Sequence, residues 1–85
     1  MNEIVVGDLL TVSGKKYIVL DKIDYLGDEY IFVNEMTKNE ENTDIFNVMK
    51  IVGDSVNIID EKAVIDNLLP IFSENIQKMV NKVFE

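Results

Sequence analysis

The chain has 85 residues, 47% of them hydrophobic, and a net charge of -8. That suffices for one domain over residues 1–85 but not for two cores, is too apolar for a disordered chain, and lacks the apolar run of roughly 20 residues that a membrane-spanning helix needs. Zero Cys and zero His remove disulfides, thiolate nucleophiles, the usual general base and the commonest metal ligands; Met1-Asn2-Glu3 is acidic where a secretory leader is basic, so a cytoplasmic location is expected.

A short echo marks the first strands. Gly14-Lys15-Lys16-Tyr17-Ile18-Val19 returns 13 residues later as Gly27-Asp28-Glu29-Tyr30-Ile31-Phe32. Each copy sets a Gly in a polar turn before an aromatic and aliphatic run, which is how a strand begins after a hairpin turn. Three antiparallel strands are predicted over residues 8–12, 16–24 and 29–36. Residues 37–44 carry no apolar side chain and read as a loop. A strand follows over 45–52, Gly53-Asp54 turns it, and 55–59 form a fifth short strand.

From Asp60 the period changes. Asp60 suits an N-cap, and Val64, Ile65, Leu68, Leu69, Ile71, Phe72, Ile76, Met79, Val80 and Val83 recur at helical steps. Pro70 interrupts the stripe without shifting its phase and falls on its polar side. A break is favoured, with helices over 61–68 and 71–84. The fold class is α+β: an antiparallel β-meander of four to five strands with a C-terminal helix, broken or kinked at Pro70, on one face. The expected core is Leu9, Val19, Ile31, Val33, Phe46, Val48, Ile58, Leu68, Phe72, Ile76, Met79 and Val83.

No residues assemble into recognised chemistry. Asp21 and Asp24 lie on opposite faces of one strand, and Glu40 and Glu41 lie in a polar loop, so neither pair suits acid–base work. Ser13, Ser55 and Ser73 lack a His to activate them. The oxygen-rich stretch 39–44 lacks the alternating spacing of a calcium loop, and the four glycines are isolated, so no phosphate cradle is present. No catalytic residue, metal or cofactor is expected, and the protein is read as no enzyme. Tyr17, Tyr25, Tyr30, Phe32 and Phe46 sit among acids rather than the basic groups that RNA stacking requires, so they are assigned to packing. A membrane-surface helix is rich in Lys and Arg, whereas the C-terminal stretch 71–85 balances Lys78 and Lys82 against Glu74 and Glu85 and is neutral.

The charge is uneven. All eight basic residues are Lys, which excludes bidentate reading of phosphate or guanine. Asp21, Asp24, Asp28, Glu29, Glu35, Glu40, Glu41 and Asp44, offset by Lys22 and Lys38, account for -6 of the -8. These eight acids form the candidate face for a protein partner, preferably a basic one; direct binding to nucleic acid or membrane is not expected.

Three segments together resemble a known family: Gly14-Lys15-Lys16-Tyr17-Ile18-Val19-Leu20-Asp21, Tyr25-Leu26-Gly27-Asp28-Glu29-Tyr30, and, after an acidic loop and a strand, Ile59-Asp60-Glu61 before a helix. Their order is similar to the YrzB-like short acidic proteins of low-GC Gram-positive bacteria, filed as domain of unknown function 1292. The resemblance implies no activity and no catalytic residues. The chain departs from it in its neutral, Pro-interrupted C-terminal helix. Abundant Ile, Asn and Lys without Arg suits an AT-rich genome, bacterial or phage.

The leading expectation is a small acidic protein-interaction module without catalysis. The alternative is a nucleic-acid mimic from a phage or mobile element that inhibits a DNA-binding protein or CRISPR-type nuclease, its carboxylates standing in for phosphates. The apolar stripe is long for so small a sheet. A homodimer is therefore expected, with Met79, Val80, Val83 and Phe84 in its seam.

Overall fold

The computed structural model describes residues 3–84, with side chains as far as Lys78. Five strands, β1 (Leu9–Val12), β2 (Lys15–Tyr25), β3 (Asp28–Met36), β4 (Asn42–Val52) and β5 (Ser55–Ile58), precede one helix, α1 (Lys62–Phe84). The strands form one antiparallel sheet in chain order. The meander and the α+β class follow the sequence reading. The strand bounds differ from it by a residue or so, except that β4 begins at Asn42 inside the expected loop.

The first two hairpin turns explain the Gly echo. Ser13-Gly14 and Leu26-Gly27 both take positive φ at each central residue, the type I′ pattern whose twist matches the flanking strands. Leu26 holds φ 52° and is 86% exposed, so it bears the left-handed penalty with no compensating burial. Asn tolerates that conformation better. Leu26→Asn is therefore expected to raise stability by about 0.5–1 kcal/mol, read as a higher urea midpoint at unchanged slope.

Two irregularities decide which side chains go where. In β2 the register slips between Val19 and Asp21. Before the bulge, Tyr17 and Val19 point to one side of the sheet; after it, Ile23 and Tyr25 point to the other. In β4 the residues 43–45 stand opposite Glu35 alone. There buried Asn34 restores what the ladder loses: its Nδ2 donates to the Thr43 carbonyl at 2.7 Å and to the Ile45 carbonyl at 3.0 Å. Thr43 Oγ1 donates to Glu35 O and accepts from Ile45 N.

The sheet thus has a core on each side. Tyr17, Val19, Ile31, Val33 and Met49 fill the inside of its curl, joined by Ile4, Leu10, Val12, Ile51 and Val56. Tyr30, Val48, Leu68 and Phe72 form the second core beneath α1, with Ile23, Tyr25, Phe32, Ile59 and Val64. Asn75 Nδ2 donates to Asp21 Oδ2 at 2.9 Å and straps the helix to β2.

Several core expectations need correction. Leu9 and Phe46 are exposed on the helix side of the sheet, where α1 does not reach them. Ile58, opposite Met49, is exposed on the inner side at the β5 edge, and Ile76 is half-buried. Tyr17, Tyr30 and Met49 are buried instead. Met79 and Val83 lie outside the described side chains. The helix is also continuous through Pro70. Pro70 and Asp66 are both exposed, so water can satisfy the Asp66 carbonyl that Pro70 cannot. Asp60 lies one place too early to cap: the helix starts at Lys62, and the Glu61 carbonyl accepts from Ile65 N.

Candidate functional site

The eight acids of the candidate partner face do not lie together. Asp21 faces α1 and is held by Asn75. Asp28 pairs with Lys50 at 3.4 Å, Glu29 with Lys22 at 3.0 Å and Glu35 with Lys15 at 3.5 Å. Asp24, Glu40, Glu41 and Asp44 are exposed and make no ion pair among the described residues. Asp24 sits near the β2–β3 turn and the other three at the β3–β4 end, about 25 Å away along β3. Strand geometry scatters what the sequence bunches: neighbours alternate faces, and each hairpin sends successive acids to opposite ends. The β3–β4 loop is closed by its own hydrogen bonds, Thr37 N to Glu41 O, Glu40 N to Thr37 O and Glu41 N to Thr37 Oγ1.

The tightest charge cluster is Lys22 with Glu3 and Glu29. Lys22 Nζ also donates to the Ile4 carbonyl at 3.1 Å, tying the N-terminal segment over one end of the curl. Hydrogen bonding to Lys22, and its charge, hold the Glu3 carboxyl below its ordinary value. Hydrogen bonds to Glu3 and Glu29 raise Lys22, outweighing desolvation. A lowered carboxylate stabilises the fold above its unfolded value, and the contribution is lost as pH falls through the folded one. A raised lysine contributes below its unfolded value and loses that as pH rises through the folded one. Glu3→Gln should accordingly lower the urea midpoint at neutral pH. The two midpoints should converge in acid, below the folded value of Glu3.

No group of three His, Cys, Asp or Glu among the described residues stands close enough to hold a metal ion. No described helix is long and apolar enough to cross a membrane.

The most distinctive surface is apolar. Where α1 leaves the sheet uncovered, two adjoining hollows of about 470 and 340 Å³ share Phe32 and Leu69. Phe72, Ser73, Ile76 and Gln77 line one; Phe46, Asn47, Val48, Ile59 and Ile65 line the other. Phe32 stacks on Phe46 at 5.5 Å and on Phe72 at 5.3 Å, so the aromatic floor runs from the open sheet into the core. Phe46 is 50% exposed and Leu69 40%. Ionic partners are arranged unevenly around this groove. On α1, Lys62 pairs with Asp66 and Lys78 with Glu74. Asp44, two residues before Phe46, and Asp60 and Glu61, directly after Ile59, make no ion pair among the described residues.

Phe46, expected in the core, instead lies half-exposed on the floor of this groove. The sequence signal for the groove is the apolar surplus of the stripe, from which a seam at the helix end is expected. The side chains of Met79, Val80, Val83 and Phe84, the expected dimer seam, lie outside the described residues. No family model, curated protein or solved structure matches the chain, so the likeness to the YrzB-like proteins rests on the residues quoted for it.

Proposed function

We propose that this protein is a non-catalytic interaction module of the cytoplasm, which holds an apolar, basic-flanked segment of a partner protein in the groove beside α1. One observation carries the reading: a stacked aromatic floor, Phe72–Phe32–Phe46, left open to solvent at Phe46 and Leu69. Apolar anchors in a hollow supply most of the energy of such contacts, and charge sets the choice of partner. Asp44, Asp60 and Glu61, without ion pairs among the described residues, favour Lys or Arg in the guest.

A photo-crosslinking residue placed at Phe46 in the native cell tests this, with the same residue at Lys38 as the control site. The expected result is one dominant adduct from position 46, absent from position 38 and lost with Leu69→Asp. Its crosslinked segment should carry apolar anchors flanked by Lys or Arg. Identical adducts at both sites would sink the reading. An adduct at twice 9.7 kDa would replace it with the homodimer.

A second reading, the nucleic-acid-mimic inhibitor, is favoured by Glu40, Glu41 and Asp44, three exposed carboxylates at one end of the sheet. It requires competition with DNA for a basic nuclease that disappears when all three are neutralised together.

A further inference from the structure

The two sheet edges are unusually bare. β1 reads Leu-Leu-Thr-Val and β5 Ser-Val-Asn-Ile, with no charge and no Pro to deter pairing. The curl brings these edges to one cleft of about 480 Å³, lined by Ile4, Leu10, Val12 and Val56, with Asp54 and Ser55 at its rim.

The edges cannot close on each other as the rest of the meander does. Five antiparallel strands in chain order leave β1 and β5 running in the same direction. No backbone hydrogen bond joins them among the described residues. The outward groups can be assigned from the ladder. Val19 N donates to the Asp8 carbonyl, so Leu10 and Val12 turn their backbone groups to β2, while Leu9 and Thr11 turn theirs outward. Ile59 N donates to the Val48 carbonyl, so Val56 and Ile58 likewise face outward.

We propose that this cleft receives an extended, basic segment of a partner protein as a sixth strand, antiparallel to both β1 and β5. A strand in that direction is the one addition that continues the antiparallel order on both sides at once. The chemistry of the guest follows from the lining. Alternate side chains facing Leu10, Val12 and Val56 are Val, Ile or Ala. A Lys or Arg meets Asp54, which has no ion pair among the described residues. A second copy of this chain is disfavoured as guest, since each copy carries -8. The site lies inside the curl, on the other side of the sheet from the Phe46 groove, and stands or falls apart from it.

The test pans a library of random short peptides against the intact chain and measures the enriched peptides by calorimetry and amide exchange. Enriched sequences should alternate Val or Ile with polar residues and carry Lys or Arg. Their binding should slow exchange at Leu9, Thr11, Val56 and Ile58. Val56→Pro removes one outward N–H and leaves the β4–β5 ladder intact, so it should weaken binding about tenfold. N-methylation of alternate amides in the peptide asks the same question without touching the protein, and should abolish binding. Phe46→Asp should leave affinity within about twofold, because the groove is remote. The proposal is overturned if no peptide is enriched, if N-methylation is without effect, or if binding follows Phe46 instead of Val56.

Discussion

Phe72→Ala is expected to cost about 3–5 kcal/mol and to leave much of the chain unfolded at room temperature. Phe72 is fully buried and stacks on Phe32 at 5.3 Å. It stands with Leu68, Tyr30 and Val48 at the centre of the core that α1 shares with the sheet. Truncation removes the ring's transfer free energy and leaves a cavity that strand and helix cannot both collapse into. Phe46→Ala is the control. It removes the same chemical group from a half-exposed site, so it should cost about 1 kcal/mol or less, most of it the stack on Phe32. Urea unfolding followed by far-UV circular dichroism reads both. Equal losses would mean that the groove is collapsed in solution and Phe46 buried, which would also remove the proposed docking surface.

That contrast shows what was legible in the sequence. The hairpins were, because Gly14 and Gly27 each meet a positive-φ demand that few other residues satisfy. The change of period at Asp60 was too. The break at Pro70 was misjudged: a Pro in a helix costs most where its missing bond is buried, and the unbroken phase of the stripe already put Pro70 on the wet side. Tyr17, assigned to packing, and Met49 both lie outside the expected core because the expected cover is a helix on one face only. Their cover is the sheet's own curl, a consequence of twist and of the β2 bulge that no single residue announces. The candidate site suffered most. Acids adjacent in sequence were grouped into a face, but ion pairs and the Asn75 strap occupy Asp21, Asp28, Glu29 and Glu35. Contacts across strands of such separation leave no mark on local composition.

Asn34→Leu is expected to destabilise the fold by about 2–3 kcal/mol, although it places an apolar residue at a buried position. The intuition that apolar is better in a core fails here for a geometric reason. The irregular stretch 43–45 of β4 slips out of register with β3, and the side chain of Asn34, a residue 3% exposed, reaches two of its carbonyls. Its amide supplies both bonds, at 2.7 and 3.0 Å. Leu fills a similar volume but leaves the Thr43 and Ile45 carbonyls without their donor, and part-buried acceptors without a donor lose more than the side chain gains from burial. A second variant, Asn34→Asp, retains the shape but presents oxygen to oxygen at neutral pH. It should be at least as damaging there, and should recover partly in acid as the new carboxyl gains a proton to donate. Amide exchange locates the effect. Protection should fall first at Ile45 and through the β3–β4 end, with the β2–β3 turn end unchanged at low denaturant. A stability for Asn34→Leu equal to or above that of the parent chain would show that the bulge does not depend on this amide, and that β4 can re-register onto β3 without it.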